Sequence, residues 1–300
     1  MGSLPAREGK VDFQAPGASK PCKTWYEIFG KLDSPPLIAL HGGLGAGHEY
    51  MATLVDLYKK HKFPIILYDQ VGCGRSTHFQ EKAGDKSFWT GSLTNLVDHL
   101  RLREIGFSVL GQSWGGILAG AYASRRPKGL RKLIIAGGPA SMPLYAEGCK
   151  YLLSQLPLDV RRTIEECERK GDYESEEFQK ASAVFYARHF RKLDPFPEAV
   201  QVGFDHLKED PTAYLTMQGP SEFTIVGSFK DWEPWKEAHN IEVEVLLLNG
   251  DQDEAMDLCI EPWFRSIAKV KWITLSNASH MTHWERRDRF RLMNSAGHFY

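Results

Sequence analysis

The sequence predicts an α/β fold with a mostly parallel central sheet and an inserted helical segment. Short apolar runs end in turn residues, and helical patterns such as residues 92–105 separate them. Unbroken apolar runs are typical of strands buried on both faces of a parallel sheet, which need crossover helices between them. The predicted strands are residues 35–43, 63–70, 107–113, 130–138, 242–250 and 270–276.

Residues 139–238 interrupt this strand pattern. They are rich in charged and aromatic residues with helical periodicity, and both junctions contain the glycine or proline typical of hinges. Because ligands of open α/β sheets bind beyond the carboxyl ends of the strands, we expect a cap over that edge. The predicted organisation is a core of residues 1–138 and 239–300 with a helical cap of residues 139–238.

The composition indicates a globular protein that acts on a small partner. Of 300 residues, 42% are hydrophobic, and 37 basic against 38 acidic residues give a net charge of −1. This balance provides no broad field for nucleic acid or a membrane surface, and no apolar stretch is long enough to span a membrane. The start of the chain lacks a signal-peptide pattern, and five dispersed cysteines lack metal-site spacing. We therefore expect reduced thiols, no metal, no membrane or nucleic-acid partner and a cytoplasmic location.

Residues 111–115, GQSWG, match the G-x-S-x-G pattern between a predicted strand and a helix pattern over 117–124. This context is that of a nucleophile elbow, in which a strained turn exposes the serine hydroxyl. Ser113 is the candidate nucleophile, with a purely structural glycine turn as the alternative. Its oxyanion hole would use the N–H of Trp114 and one from the glycine-rich loop 41–51, for which a flexible connection is the alternative.

A serine hydroxyl needs a base, and the base needs an orienting group. Both follow later strands, in the chain order serine, acid, histidine that one class of catalytic triads uses. The candidate acids after the strand at 242–250 are Asp251, Asp253, Glu254 and Asp257. The candidate bases after the last strand are His280 and His283. Asp69 and Arg75 are interpreted as a structural ion pair.

Six segments of the sequence carry a resemblance to a known family. They are HGGLGAGHEYM (41–51), LYDQVGCGRST (67–77), GQSWGG (111–116), GPSEFTIVGSFKDW (219–232), GDQDE (250–254) and SHMTHWE (279–285). With these, the chain resembles the proline iminopeptidase family of α/β-hydrolases, including the tricorn-interacting aminopeptidase, over nearly its whole length. The resemblance implies the α/β-hydrolase fold and a serine hydrolase. It implies that Asp253 is the acid, that His280 is the base, and that Gly43 accompanies Trp114 in the oxyanion hole.

The resemblance also implies that Glu222 and Glu254 bind the free α-ammonium group of the substrate. Two carboxylates in a partly enclosed pocket suit a cation and would be left unpaired by an N-blocked substrate. The alternatives are a solvated charge for Glu222 and a helix cap for Glu254. Leu44 and residues 255–257 depart from the family pattern, which puts proline preference in question more than catalysis.

The resulting hypothesis is a serine aminopeptidase or amino-acid amidase that acts through an acyl-enzyme on a small molecule or short peptide, without a cofactor. One alternative keeps the chemistry but acts on an ester, lactone or amide of a specialised metabolite, because a fold does not fix function. The second alternative is a ligand sensor built on a hydrolase scaffold.

Overall fold

The computed structural model describes residues 6–14, 20–78 and 86–295, which surround an eight-stranded sheet. Its strand order is β1-β2-β4-β3-β5-β6-β7-β8, and β3 to β8 are parallel. Those six strands lie within the predicted segments. The strands are β1 (Ala6–Phe13), β2 (Cys22–Phe29), β3 (Leu37–Leu40), β4 (Ile65–Tyr68), β5 (Phe107–Gln112), β6 (Leu130–Ala136), β7 (Glu244–Gly250) and β8 (Val270–Leu275).

The antiparallel pair β1–β2 is absent from the sequence prediction. β2 joins the parallel strands through antiparallel pairing with β4, with Tyr26 opposite Tyr68. β1 lies at the sheet edge, and most of its residues are exposed. An edge strand of this kind needs few apolar residues, so its sequence carries no buried-strand pattern.

Helices cover both faces of the sheet, and the predicted crossover over 92–105 is two helices rather than one. The chain breaks between them at Arg101, which has a left-handed backbone with φ of 54°. The helices outside the β6–β7 connection are α1 (Val55–His61), α2 (Lys86–His99), α3 (Leu102–Ile105), α4 (Trp114–Ala123), α10 (Asp257–Ser266), α11 (Thr282–Glu285) and α12 (Arg287–Ser295). Short 3-10 helices span His48–Leu54 and Pro234–Asn240.

Five helices lie between β6 and β7. They are α5 (Met142–Ser154), α6 (Leu158–Lys170), α7 (Glu176–His189), α8 (Glu198–Glu209) and α9 (Thr212–Met217). Two histidine–carboxylate contacts tie α8 and the residue after it to core loops: His206 lies 3.3 Å from Glu49, and His78 lies 2.6 Å from Asp210. The inserted helices therefore contact loops at the carboxyl ends of β3 and β4.

The two faces of the sheet bury separate apolar clusters. On β3, Ile38 and Leu40 belong to one cluster while Leu37 and Ala39 belong to the other, as the two-residue period of a strand requires. The five cysteines are buried free thiols. None of the described helices has both the length and the apolar character needed to cross a bilayer.

Candidate active site

Ser113 occupies a strained turn between β5 and α4. Its φ of 56° and ψ of −124° lie where side chains are rarely found, and its N–H donates to the carbonyl of Ala136 at 2.8 Å. A β-carbon at Gly111 would collide with the carbonyl of Gly115, so strand and helix meet at this angle only with glycine there. The half-buried serine lines two cavities. The sequence GQSWG thus forms the geometry of a nucleophile elbow.

His280 follows β8 and pairs with Asp253, which follows β7. Nδ1 of His280 donates to Oδ1 of Asp253 at 2.7 Å, and both residues are buried. The same oxygen accepts the N–H of Ala255 at 2.8 Å. The ring of His280 stacks on Phe190, with centroids 5.4 Å apart. These contacts fix the orientation of the imidazole.

Ser113 and His280 line the same two cavities, yet their side chains are not hydrogen-bonded. Nε2 of His280 is buried without a hydrogen-bond partner among the described residues. A serine hydroxyl rotates freely about one bond, and such contacts are often loose without substrate. The structure therefore brings the serine and the Asp253–His280 pair to one cavity and leaves Nε2 unpaired.

Glu254 places a second carboxylate near the imidazole of His280. Its Oε1 lies 3.9 Å from Nε2 of His280, and its buried Oε2 has no hydrogen-bond partner among the described residues. Burial raises the pKa of Glu254 well above its usual range; His280 opposes this shift, whereas the nearby Glu222 and Asp253 add to it. Burial opposes the charged form of His280, but Asp253, Glu254 and Glu222 outweigh it and raise the pKa of His280 to about 9.

Gly43 and Trp114 are the residues predicted to form the oxyanion hole. Both line the cavity that contains Ser113 and His280, and Gly43 has a φ of 50°, which favours glycine. Trp114 is the first residue of α4, whose leading N–H groups have no acceptor within the helix. Leu44, the departure from the family pattern, is buried and lines this cavity too.

Tyr50 and Gln112 hold these loops together and were not singled out from the sequence. The Tyr50 hydroxyl accepts the N–H of Gly42 and donates to Oε1 of Gln112 at 2.7 Å. Nε2 of Gln112 donates to the carbonyl of His280 at 3.1 Å. This Tyr50–Gln112 bridge therefore joins the glycine loop, the serine turn and the histidine loop. Both residues lie in the segments that carry the family resemblance, which is the signal that could have indicated them.

Glu222 lies in the β6–β7 connection after α9 and is half-buried. Its carboxylate accepts hydrogen bonds from Tyr145 and Tyr214, both at 2.8 Å, and from Gln218 at 3.0 Å. It lines the two cavities that contain Ser113 and His280. The alternative of a solvated surface charge is therefore wrong for Glu222. Glu254 does not cap a helix either, since α10 begins later and its N-cap is Met256.

Comparison with known proteins identifies the family of this chain. The family model for the alpha/beta hydrolase fold matches residues 35–287. Proline iminopeptidases from Saccharolobus solfataricus and Thermoplasma volcanium are both 33% identical, over 89% and 85% of this chain and 86% and 85% of their own lengths. The chain belongs to the proline iminopeptidase family of α/β-hydrolases.

Solved structures place this member of the proline iminopeptidase family among close structural relatives. The crystal structure of VinJ has a TM-score of 0.90 and 35% identity, with 96% of each chain covered. A proline iminopeptidase from Mycobacterium smegmatis has a TM-score of 0.85 and 32% identity, over 95% of this chain and 96% of that one. The predicted α/β-hydrolase fold and the family resemblance are confirmed.

The remaining candidate residues, Asp251, Asp257 and His283, make structural contacts. Asp251 accepts the N–H groups of Asn277 and Ala278, and Asp257 accepts the side-chain amide of Asn249. Nε2 of His283 donates to the carbonyl of Tyr50 at 3.1 Å, and burial lowers the pKa of His283 to about 3. His283 thus supports the Tyr50–Gln112 bridge rather than facing Ser113.

The predicted ion pair between the side chains of Asp69 and Arg75 is wrong. Asp69 accepts the backbone N–H of Arg75 at 2.8 Å, whereas the guanidinium lies 3.7 Å from Glu8 and 3.8 Å from Glu49. His48, Glu49 and Asp69 place potential metal-ligand atoms within 4.8 Å of one another. Because Asp69 already accepts three protein N–H groups, two of them from His48, this cluster is explained as a hydrogen-bonded support of the loops.

Proposed function

We propose that this protein is a serine hydrolase that cleaves the amide bond after an N-terminal amino acid. The observation that carries the proposal is the shared cavity wall of Ser113, His280 and Glu222. A nucleophile, a base and a carboxylate for an ammonium group then lie within reach of one small substrate. The names of the family relatives support an aminopeptidase activity.

In the proposed mechanism, Oγ of Ser113 attacks the carbonyl carbon while Nε2 of His280 takes its proton. Asp253 orients the imidazole and stabilises its charged form. The N–H groups of Gly43 and Trp114 bind the oxyanion, and each donor of this kind contributes on the order of 10²- to 10³-fold in rate. His280 then returns the proton to the leaving amine, and water hydrolyses the acyl-enzyme. Neither a metal nor an organic cofactor takes part.

Glu222 and Glu254 provide the specificity in this proposal. The ammonium group of the substrate would lie between them, where it compensates two carboxylates that burial otherwise makes costly. An N-acetylated substrate provides no charge for either carboxylate. Residues 139–238, as a cap, would bring Glu222 to the core residue Glu254.

The test is a comparison of prolyl- and alanyl-4-nitroanilide with their N-acetylated forms, using the wild type and Ser113→Ala. We expect the free-amine substrates to be cleaved, the acetylated ones to be poor, and Ser113→Ala to be inactive. Unchanged activity in Ser113→Ala would refute the serine mechanism. Indifference to acetylation would replace the aminopeptidase with an esterase, lactonase or amidase of another substrate.

A further inference from the structure

A large cavity lies among the inserted helices, next to the proposed active site. It has a volume of about 430 Å³ and is formed mainly by α7, α8 and the segment between them. Cavities that bind small molecules typically measure about 300 to 1,000 Å³. The cavity that contains Ser113, Trp114 and Ile117 measures only about 50 Å³. The lining of this α7–α8 cavity includes five aromatic rings, those of Tyr186, Phe190, Phe196, Phe204 and Tyr214.

The α7–α8 cavity adjoins the reacting groups. A small cavity of about 70 Å³ contains Ser113 and His280, and it shares five lining residues with the α7–α8 cavity. The shared residues are Phe190, Phe204, Leu207, Tyr214 and Glu222. Phe190 stacks on the imidazole of His280 on one side and lines the α7–α8 cavity on the other. A group that leaves the site past His280 therefore meets Phe190 first.

The direction of the proposed reaction decides which part of the substrate lies there. His280 returns its proton to the leaving amine, so the amine nitrogen lies beside the imidazole. Phe190 stacks on that imidazole and lines the α7–α8 cavity, so we place the atoms attached to the nitrogen on this side. The acyl part stays with Ser113, next to the cavity of about 50 Å³. The two halves of the substrate thus face spaces of very different size.

Both acidic and basic residues line the α7–α8 cavity. Glu222 lines the side shared with the reacting groups, whereas Arg191 and Lys208 contribute basic groups elsewhere in the lining. Lys208 pairs with Asp205 at 3.0 Å. The guanidinium of Arg191 lies over the ring of Phe196, 4.4 Å from its centroid, and no carboxylate in the described part of the chain lies within 4.0 Å of it. Arg191 is therefore the cation available to a bound anion.

We propose that the α7–α8 cavity binds the leaving amine, and that this amine is a bulky, largely apolar group with a carboxylate that pairs with Arg191. The inference rests on the proposed function, because it assigns the two sides of the cleaved bond. Both an aromatic C-terminal residue of a dipeptide and an aryl amino acid outside peptides have this chemistry. The N-terminal residue is small, and the substrate's bulk follows the cleaved bond.

The test uses matched substrates that differ only in the distant charge. Prolyl-4-aminophenylacetic acid and its methyl ester have leaving amines of similar basicity, so a difference in kcat/KM reports the carboxylate. We expect the wild type to prefer the acid by about fivefold, the order expected for one partly exposed ion pair. Arg191→Met should abolish this preference, because it lowers kcat/KM on the acid more than on the ester. Arg188→Met, an exposed arginine outside the cavity lining, is the matched control and should keep it.

A second variant tests the apolar lining. Phe196 lines the α7–α8 cavity but not the two smaller ones. Phe196→Ala should lower kcat/KM on both aryl substrates by about tenfold, as the loss of a large aromatic contact predicts, and should lower it less on prolinamide, which has no aryl group. The pair Pro-Phe and Pro-Phe-amide shows whether a peptide carboxylate uses Arg191 in the same way.

The outcomes separate this inference from the proposed function. If prolinamide is cleaved but acid and ester are equal, or Arg191→Met keeps the preference, the cavity assignment is overturned alone. Calorimetry of 4-aminophenylacetate binding needs no turnover and should show weaker binding to Arg191→Met than to the wild type. If no prolyl compound is cleaved while this binding still depends on Arg191, the proposed function fails and the ligand class of the cavity stands.

Discussion

Nε2 of His280 lies 3.9 Å from Oε1 of Glu254, and burial keeps both side chains from water. This distance couples the proton on the proposed base to a carboxylate that we assign to substrate binding. Despite burial, Asp253, Glu254 and Glu222 raise the pKa of His280 and so favour the charged imidazole, which cannot accept the proton of Ser113. An ammonium group beside Glu254 would offset the field of that carboxylate and favour the neutral imidazole.

Glu254→Gln should therefore lower the pKa of His280. The base works only when neutral, so labelling of Ser113 by a fluorophosphonate should become faster as pH rises through that pKa. In the wild type, we expect the midpoint near pH 9. In Glu254→Gln, the midpoint should move to lower pH by about one unit, because an opposite charge 4 to 6 Å away shifts a pKa by at least that much. The labelling rate as a function of pH measures both midpoints without needing an amine-bearing substrate.

Glu261→Gln is the control for this shift. Glu261 is a surface residue of α10 that pairs with Arg265, so its charge lies in solvent. The midpoint of the labelling rate against pH should be the same for Glu261→Gln as for the wild type. Equal midpoints for Glu254→Gln and the wild type would mean that the proximity of Glu254 has no electrostatic effect on His280.

Glu222→Gln should impair binding of free-amine substrates specifically. The three donors Tyr145, Tyr214 and Gln218 would remain, but a neutral amide cannot compensate an ammonium group. Loss of one charge-assisted contact raises KM by about tenfold or more, with a smaller effect on kcat. Steady-state kinetics on prolyl-4-nitroanilide measures both constants. The exposed Glu176→Gln, also in the inserted helices, should leave KM unchanged, and an equal loss on N-acetylated substrates would argue against a role for Glu222 at the amine.

The parallel part of the fold was largely predictable because most residues of β3 to β7 are buried. Their strand segments are apolar runs, and the serine turn follows from glycines such as Gly111 that the close approach requires. The β1–β2 pair was not predictable, because the exposed edge strand β1 has no buried apolar run. At the edge, side chains such as Arg7 and Glu8 face solvent, so pairing depends on a neighbour distant in sequence.

The Tyr50–Gln112 bridge was not predictable for a related reason. Tyr50 lies in a 3-10 helix, and its hydroxyl meets Gln112 only because β3 and β5 are neighbours in the sheet. No local spacing encodes that contact. Likewise, the candidates Asp251 and His283 differ from Asp253 and His280 in tertiary contacts, which composition and order do not distinguish.

Tyr50→Phe should reduce kcat by misplacing the oxyanion loop. The substitution leaves the N–H of Gly42 without its acceptor and Oε1 of Gln112 without its donor. We expect kcat to fall by about tenfold with KM little changed, because the oxyanion donors act on the transition state. The buried groups left unpaired should also lower the free energy of unfolding by about 1–3 kcal/mol. Steady-state kinetics and urea unfolding measure the two effects.

Tyr68→Phe is the matched control. Its hydroxyl is buried without a hydrogen-bond partner among the described residues, so its removal leaves no group unpaired. Kinetics and stability should equal or exceed those of the wild type. A drop in kcat for Tyr68→Phe as large as that for Tyr50→Phe would show that any buried phenol at the sheet has this effect and that the bridge has no special role.

Asp56→Asn should destabilise the contact between α1 and α12 in a pH-dependent way. Asp56 accepts hydrogen bonds from Arg287 at 2.6 Å and Arg291 at 3.2 Å. Burial opposes its ionisation, but Arg287, Lys59 and Arg291 outweigh this and lower the pKa of Asp56. A lowered pKa contributes stability that is present above the unfolded value of about 3.9 and is lost as pH falls through the folded value.

The free energy of unfolding should thus be lower in Asp56→Asn by about 2 kcal/mol at pH 7, between the values for exposed and fully buried ion pairs. The difference should shrink as pH falls from about 3.9, where Asp56 of the unfolded chain takes up a proton, towards the lower folded pKa, where the native carboxyl becomes neutral too. Urea unfolding of both proteins at pH 7 and pH 3 measures it. Asp288→Asn, which removes an exposed partner of Arg291, should change stability by less than about 0.5 kcal/mol. A difference for Asp56→Asn that is the same at both pH values would mean that side-chain packing, not charge, joins the two helices.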